Sequence, residues 1–366
     1  MELDAPWRAE ADARIEKYRK ATLDVTVKNA QGKTLKGANV HIEQLEHDFG
    51  FGAAISARVM FDDEKGDAED QRMYKQRILE SFNKVTIENG LKWKLFEHFE
   101  PFIQPTLDWC KENDLPVRGH VLVWPGYRRL PKAYDTYKTD PEQFKKDIEA
   151  HVRDFSTRWG DCFPEWDVMN EPYYQHDYSI LAGNNFEHIE NHHEWIQYLL
   201  DNNAPVQAIG FQSHFRSPVP PMEIWRRIQE FEKYGLEMQV TEFDFDDEDE
   251  ELKVRFTEDV MMLIFSHPKF VGFVTWTITW HNTKYSGKKN ATFYREDWSK
   301  KPVAELWDYL VKEKWHTELH EVSDGNGKLS FRGFKAKYRV TVEHNGSKKV
   351  QEIYLKKDGK GTLVLN

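Results

Sequence analysis

The chain has 366 residues, of which 62 are acidic and 51 are basic, and its formal net charge at pH 7 is −11. This length suits one large domain with an appendage or two ordinary domains, so no disulfide or metal is needed to stabilise a small core. The negative charge disfavours a nucleic-acid partner. The two cysteines, Cys110 and Cys162, fit neither a disulfide framework nor a metal pattern, and we interpret them as free, buried thiols.

The N-terminal stretch MELDAPWRAEADARIEKYRK is charged throughout, and we predict a short N-terminal helix within residues 1–20. It contains no apolar segment like that of a signal peptide. The chain also has no apolar run long enough to span a bilayer. The sequence therefore predicts neither an export signal in this chain nor a membrane partner.

Both ends of the chain show the alternation of apolar and polar residues that is typical of antiparallel strands. The N-terminal segments are DVTVK and NVHIE, and the C-terminal ones are KLSFRGF, KYRVTVEHNGSKKVQEIYL and GTLVLN, with glycine-containing turns between them. Because isolated hairpins are only marginally stable, we expect residues 21–48 to combine with residues 315–366 in one small β-sandwich module.

Residues 49–314 have a different pattern, in which short apolar strands alternate with helical segments. The predicted strands are FGFGAAI, FNKVTIE, VRGHVLVW, EWDVMNE, QAIGFQSHF, EMQVTEFDF and FVGFVTWTITW. Repeated βα units imply a parallel sheet, and at this length they favour an α/β fold with a closed (β/α) TIM-type barrel over an open doubly wound sheet. No glycine-rich phosphate-binding motif follows a strand, which disfavours nucleotide binding.

Polar and aromatic residues are concentrated at the ends of these strands, where the active site of such a barrel lies. They are Glu88, Asn89, Lys92, Trp93, His120, Trp124, Asn170, Glu171, Gln212, His214, Glu242, Trp276 and Trp280. In WDVMNEP the strand stops at Pro172, which leaves Glu171 at its end, and Glu242 is the carboxylate that can face it from another strand. Glycosidic bond cleavage needs two such carboxylates, one protonated to donate to the leaving oxygen and one ionised.

The other strand-end residues suit a sugar, because amides and imidazoles bond hydroxyl groups and indoles stack on flat ligands. A metal site is the competing use of Glu and His, but no HExxH or similar spacing occurs there, and we predict no metal and no cofactor. The acidic run DFDDEDEE, residues 244–251, lacks the glycine turn of an EF-hand and is interpreted as a solvated loop. His188 and His192 are spaced for zinc on a helix but lack an evident third ligand.

Five segments, TIENGLKW, GHVLVW, WDVMNEP, IGFQSHF and VTEFDF, resemble in their order the signature segments of glycoside hydrolase family 10, the endo-β-1,4-xylanases. The resemblance covers most of residues 49–314 and implies a retaining mechanism, with Glu171 as general acid/base and Glu242 as nucleophile. The residues that it implies as sugar contacts are Glu88, Asn89, Lys92, His120, Trp124, Asn170, Gln212, His214 and Trp276.

We further expect Asn170 to bond the hydroxyl next to the reacting carbon, and His214 to orient Glu242. Trp280 is a further candidate sugar contact. The flanking strands resemble family members that carry a small β-sandwich module formed from both chain ends. The resemblance also implies a xylan or xylo-oligosaccharide substrate and a secreted protein, which we expect to be a monomer.

The sequence departs from the family pattern at two places. Thr277 stands where the family usually has glycine after the tryptophan that matches Trp276, and residues 281–294 do not follow the usual loop, which affects the roof of the cleft and the tolerance for side-chain decorations. The family also has a helix and a fifth strand after the NEP segment, whereas only residues 172–177 precede the Tyr178 segment here. A parallel crossover needs about a dozen residues or more. Either the barrel lacks one βα repeat after its fourth strand, or the chain was engineered, or a segment is absent from the sequence.

These observations leave three readings of function. The first is an endo-acting retaining xylanase. The second is a non-catalytic protein that binds xylan or β-glucan and has lost turnover, and the third is the same hydrolysis on another β-glucan. The presence of both carboxylates favours an enzyme, because a binding protein needs no acid and nucleophile that face each other.

Overall fold

The computed structural model describes residues 5–130, 140–172, 192–282 and 288–365. Its strands are β1 (Lys20–Asn29), β2 (Asn39–His47), β3 (Gly50–Ile55), β4 (Lys84–Ile87), β5 (Val117–Val123), β6 (Glu165–Met169), β7 (Ala208–Phe211), β8 (His214–Phe215), β9 (Glu237–Phe245), β10 (Phe270–Thr275), β11 (Glu318–Val322), β12 (Lys328–Phe334), β13 (Ala336–His344), β14 (Ser347–Leu355) and β15 (Gly359–Leu365). Its α-helices are Pro6–Arg19, Ala57–Phe61, Ala68–Ser81, Phe96–Glu112, Pro141–Trp159, His192–Asp201, Pro221–Gln229, Glu250–Ser266 and Pro302–Tyr309, and a π-helical turn follows at Leu310–Lys314.

Strands β3 to β10 form one parallel sheet, in the order β6-β5-β4-β3-β10-β9-β7, with the short β8 paired to β9. The first strand, β3, lies beside the last, β10, so the sheet curves back on itself. Helices separate most of these strands along the chain. This is the predicted TIM-type (β/α) barrel, and the predicted α/β fold class is confirmed.

Strands β6 and β7 are the two ends of this path. The residues that join them include 173–191, which lie outside the described part of the chain. The predicted absence of one βα repeat after β6 concerns these residues and stays a prediction. The described path holds seven strands, where a closed TIM barrel has eight.

The inner strands of the barrel, β3, β4, β5, β9 and β10, are largely buried on both faces, as expected for a parallel sheet covered by helices, whereas β6 and β7 at the two ends of the path are partly exposed. All four residues of β4 are buried, and β9 is buried from Met238 to Phe245. Gly119 in β5 is required for packing, because a Cβ there would lie 2.3 Å from Cε3 of the neighbouring Trp166. Charged side chains are paired inside the barrel: Lys84 Nζ lies 2.6 Å from Glu165 Oε1.

The N-terminal helix Pro6–Arg19 packs against the outside of the barrel. Its Trp7, Ala11 and Ile15 side chains are part of the main hydrophobic core. At its end, the Arg19 guanidinium donates to the carbonyl oxygens of Phe265 and His267, at 2.6 Å each. Among the helices in the described ranges, none combines the length and the apolar character that crossing a membrane requires.

Both chain ends form two further sheets, in the orders β12-β1-β15 and β11-β2-β13-β14. Each N-terminal strand pairs with C-terminal strands: β1 is antiparallel to β12 and parallel to β15, and β2 is antiparallel to β11 and β13. Buried side chains from both sheets, including Val27, Ile42, Phe331, Tyr338 and Leu363, form one hydrophobic cluster. The assignment of residues 21–48 and 315–366 to a separate module stays a prediction.

Candidate active site

The strands of the barrel bring most of the predicted site residues to one edge of the sheet. Residues within or just after strands β4, β5, β6, β7, β9 and β10 are Glu88, Asn89, His120, Trp124, Asn170, Glu171, Gln212, Glu242 and Trp276. The backbone of Glu171 has a φ of 52°, a left-handed conformation that is uncommon for a residue with a side chain. The chain therefore turns sharply where β6 ends, and such local strain is typical of functional positions.

One glutamine side chain connects the two carboxylates. Gln212 Nε2 lies 3.0 Å from Glu171 Oε1 and 3.4 Å from Glu242 Oε1. The two Oε1 atoms are therefore no farther apart than the sum of these distances, which is below the roughly 6.5 Å at which the range of inverting carboxyl pairs begins. The indole Nε1 of Trp124 donates to Glu171 Oε2 at 3.0 Å, and thereby fixes the other carboxylate oxygen.

Glu242 is buried, with 5% of its surface exposed, and it is bonded to a histidine that contacts two carboxylates. His214 Nε2 lies 3.2 Å from Glu242 Oε2, and His214 Nδ1 lies 2.9 Å from Asp244 Oδ2. Lys288 Nζ pairs with Asp244 and lies 2.9 Å from the same Nδ1. Both ring nitrogens of His214 therefore lie beside a carboxylate, and Nδ1 also lies beside the Lys288 ammonium group.

The pKa values of this pair are shifted in opposite directions. Burial alone raises the pKa of Glu242, but the hydrogen bond from His214 and the positive charges nearby outweigh it, so the pKa lies below its usual value. Burial alone lowers the pKa of His214, but its hydrogen bonds to Asp244 and Glu242 outweigh it, so this pKa lies above its usual value. Glu242 is thus held ionised at neutral pH, the state that a nucleophile or a charge-stabilising group needs.

A second part of the site consists of one ammonium group and two indoles. Lys92 Nζ donates to Asn89 Oδ1 at 2.9 Å, and lies 5.0 Å from the ring centroid of Trp124 and 5.7 Å from that of Trp276. Burial lowers the pKa of Lys92, while the negative charges of Glu88 and Glu242 act in the opposite direction. Donors beside aromatic faces suit a ligand that has both hydroxyl groups and flat apolar surfaces.

His120 is held by a partly buried ion pair between Arg118 and Asp167. His120 Nδ1 lies 2.7 Å from Asp167 Oδ2, and Arg118 binds the other oxygen of Asp167 at 3.0 Å. The contact of Nδ1 with Asp167 fixes the orientation of the buried imidazole. The imidazole also packs edge-on against Trp276, with 5.3 Å between ring centroids. We did not expect Arg118 and Asp167 from the sequence, although charged residues inside apolar strands are the available signal for a buried pair.

The comparisons with known proteins identify the family. The model of glycosyl hydrolase family 10 matches residues 42–189 and 173–307. The chain belongs to glycosyl hydrolase family 10. The resemblance inferred from the sequence is confirmed at the level of this family, whereas the module formed from both chain ends is not tested by the match.

Solved structures of other family 10 proteins share the fold. Xylanase 10B from Thermotoga petrophila RKU-1, solved in complex with xylobiose, is 19% identical and has a TM-score of 0.57, with 73% of this chain and 95% of that chain covered. The GH10 protein of Paenibacillus barcinonensis is 18% identical and has a TM-score of 0.58, over the same shares of the two chains. At these identities the likeness shows the barrel fold alone.

Curated relatives of this family 10 chain include both a regulator and xylanases. The anti-sigma-I factor RsgI6 of Acetivibrio thermocellus is 24% identical over 98% of this chain and 49% of that protein. Endo-1,4-beta-xylanase 1 of Arabidopsis thaliana is 23% identical over 93% of this chain and 38% of that protein. The chain therefore spans half or less of the length of these two relatives.

The sequence reading of the acidic run in this family 10 domain was wrong at its first residue. Asp244 was expected in a solvated loop, but it is the eighth residue of β9, is 2% exposed and binds His214. Its position two residues after Glu242 in a strand was the available signal, because such residues share one face. Asp249, farther along the run, caps the helix Glu250–Ser266 by accepting from the backbone N–H groups of Glu251 and Leu252.

Trp280 lies in a short 3₁₀ turn after β10. Its ring stacks on His281, with 4.6 Å between centroids, and packs edge-on against Trp298 at 4.8 Å. Its role as a sugar contact stays a prediction. We interpret His188 and His192 as exposed helix residues and not as a zinc site; His192 is the first residue of a helix and is exposed, whereas His188 lies outside the described residues. Of the two cysteines, Cys110 is buried as predicted, whereas Cys162 is exposed, and both are free.

Proposed function

We propose that this protein is an endo-acting, retaining glycoside hydrolase that cleaves internal β-1,4 linkages of xylan. The observation that carries the proposal is the pairing of Glu171 and Glu242 across one amide, that of Gln212. The bound on the distance between the two Oε1 atoms lies below the range typical of an inverting pair, about 6.5 to 9.5 Å, and is compatible with the retaining distance of about 5 to 5.5 Å. Endo action and xylan as substrate are supported by the names of the relatives.

In the proposed first step, the protonated carboxyl group of Glu171 donates its proton to the glycosidic oxygen. The ionised carboxylate of Glu242 attacks the anomeric carbon, the bond from that carbon to the leaving oxygen breaks, and a covalent glycosyl-enzyme forms. In the second step, Glu171 takes a proton from water as the water oxygen attacks the same carbon and releases Glu242. Two inversions at one carbon give net retention.

The remaining residues are proposed to bind the sugar and prepare the carboxylates. Asn170 bonds the hydroxyl next to the reacting carbon, and His214 orients Glu242. The further sugar contacts are Glu88, Asn89, Lys92, His120, Trp124, Gln212, Trp276 and Trp280. The reaction so written requires no cofactor. Because the substrate is a polymer, we propose that the protein acts outside the cell, and we expect it to be a monomer. The two sheets from the chain ends are proposed to form an accessory β-sandwich.

The experiment that tests this proposal follows products released from xylan by the purified protein, with a mixed-linkage β-glucan assayed in parallel. Release of xylo-oligosaccharides of several lengths from xylan supports endo-xylanase activity. Faster release from the glucan would show that the β-glucan, and not xylan, is the preferred substrate of the same reaction. Only monomeric or dimeric products from the first minutes onward would contradict endo action.

The second candidate is a xylan-binding domain without turnover. It is favoured by one observation: a relative that matches 98% of this chain is named an anti-sigma factor, a regulator. Binding of xylan by both the wild-type protein and Glu242→Ala, without release of reducing sugar by either, would support this candidate over the enzyme.

A further inference from the structure

A group of metal-ligand side chains lies on the outer face of the four-stranded sheet, outside the barrel. Strands β2 and β11 are antiparallel there, and their register places His41 opposite His320 and Glu43 opposite Glu318. On β2 the neighbours Val40 and Ile42 point into the core, with 1% and 0% exposure. Because strand residues alternate between faces, the side chains of His41 and Glu43 point outward.

Three of these side chains are already close together. His41 Nε2 lies 2.9 Å from Glu318 Oε1, and the rings of His41 and His320 stack with 4.2 Å between centroids. One ligand atom from each of His41, Glu318 and His320 lies within 4.8 Å of the others. Glu43 is engaged differently, since it pairs with Arg339 at 3.1 Å.

We propose that His41, Glu318 and His320 form a binding site for Zn²⁺ or a neighbouring divalent ion such as Ni²⁺ or Cu²⁺. Two imidazoles and one carboxylate are ligands that zinc accepts, and a fourth position is left for water. The hard ions Ca²⁺ and Mg²⁺ prefer oxygen ligands and are disfavoured by a site with two nitrogens. Partial exposure of all three side chains gives an ion access from solvent.

Binding requires one side-chain movement. Zinc ligands at about 2.0 to 2.2 Å from the ion in a tetrahedral arrangement are roughly 3.3 to 3.6 Å apart, so the three donors must approach. The stacked rings are parallel within 3°, so both cannot direct a lone pair at one point. His320 can turn out of the stack because β11 is an edge strand of the sheet and the residue is exposed. This rotation leaves the backbone pairing of β2 and β11 unchanged.

The ion would join the two ends of the chain. His41 and Glu318 are separated by 277 residues in sequence but lie on adjacent strands. An ion bound across these strands has no such site in the unfolded chain, so its binding stabilises the folded state. The proposed role is therefore a clamp between the N-terminal and the C-terminal strands, independent of the reaction in the barrel.

Calorimetric titration of chelator-treated, tag-free protein with ZnCl₂ tests the proposal, with His344→Ala as the matched control because this histidine lies in β13 outside the cluster. We expect one equivalent of zinc in the wild type and in His344→Ala, and at least tenfold weaker binding in His41→Ala and in His320→Ala. Zinc should also raise the unfolding temperature of the wild type and not that of the two cluster variants. Copper bound to the wild type should show coupling to two imidazole nitrogens in its electron paramagnetic resonance spectrum.

Unchanged zinc affinity in both cluster variants would overturn the proposal, and so would a wild type that binds no zinc. Circular dichroism shows whether each variant is folded. If one cluster variant fails to fold, the copper spectrum of the wild type decides alone, and a spectrum without imidazole nitrogen coupling would overturn the site. None of these measurements depends on hydrolysis of xylan.

Discussion

Replacing Asp167 with alanine should destabilise the barrel through the ion pair beneath the active site. The Arg118 side chain is 3% exposed and lies 3.0 Å from Asp167 Oδ1, and its other partners are neutral, namely Thr86 Oγ1 at 3.0 Å and the Thr241 carbonyl oxygen at 2.8 Å. Removal of Asp167 leaves this buried cation without its carboxylate. Breaking a fully buried pair costs about 3 to 5 kcal/mol, and because the Asp167 side chain is 21% exposed we expect the lower end of that range. This is still a large part of the ~5 to 15 kcal/mol of a typical native state.

The effect should depend on pH with a defined sign. Burial alone raises the pKa of Asp167, but Arg118 and His120 outweigh it, and the pKa lies below its usual value. A carboxyl group whose pKa is depressed in the folded state stabilises that state above its unfolded pKa, about 3.9, and loses the contribution as pH falls through the lower folded pKa. The difference in free energy of unfolding between the wild type and Asp167→Ala should therefore have its largest value at pH 7 and a smaller value below pH 4.

Urea unfolding followed by tryptophan fluorescence measures this difference, and a second variant isolates its cause. The double substitution Arg118→Met with Asp167→Leu removes both charges, so it should be more stable than Asp167→Ala. A loss below about 1 kcal/mol in Asp167→Ala, well under the cost of breaking a buried pair, would show that Arg118 does not depend on this carboxylate. A double variant less stable than the single one would contradict the proposed cause as well.

Three further predictions concern other groups. Glu171→Ala should lower the rate on xylan by about 10² to 10⁴ but largely spare an aryl xylobioside with an acidic phenol, which leaves without a proton; equal losses on both substrates would contradict the general-acid role. Lys288→Met removes a cation that lowers the pKa of His214, so NMR should show a higher His214 pKa in this variant and an unchanged one in the control Lys289→Met. A lower His214 pKa in Lys288→Met would be inconsistent with the contact. Burial lowers the pKa of His47 to about 3, so below about pH 6.5 the free energy of unfolding of the wild type should fall by about 1.4 kcal/mol per pH unit relative to that of His47→Leu. If urea unfolding gives the same pH dependence for both proteins, this prediction is wrong.

The grouping of Glu171, Gln212 and Glu242 could be predicted from the sequence. Each of them ends or follows an apolar segment of the barrel, and the carboxyl ends of parallel strands meet at one edge. Pro172 marked the end of β6, and the structure ends that strand at Met169. No long-range information was needed for this part of the site, because the position of a residue along its strand decides which edge it reaches.

The supporting contacts could not be predicted in the same way. Asp167 serves His120 and Arg118 of the adjacent strand, which depends on the register between β5 and β6. The predicted strand EMQVTEFDF contains Asp244 and ends where β9 ends, but the contact of Asp244 with His214 depends on the register between β8 and β9. Lys288 binds Asp244 from a segment after β10 whose structure the sequence pattern did not predict. Each of these contacts is fixed by tertiary packing and not by local periodicity.

The anomeric configuration of the first product released from a xylo-oligosaccharide, followed by proton NMR with the wild type and Glu242→Ala, tests the retaining mechanism directly. We expect the wild type to release the β-anomer first, which then mutarotates, and Glu242→Ala to release no product because the covalent route is absent. First release of the α-anomer, or hydrolysis by Glu242→Ala at the wild-type rate, would contradict the assignment of Glu171 and Glu242 as the acid/base and nucleophile of a retaining hydrolase.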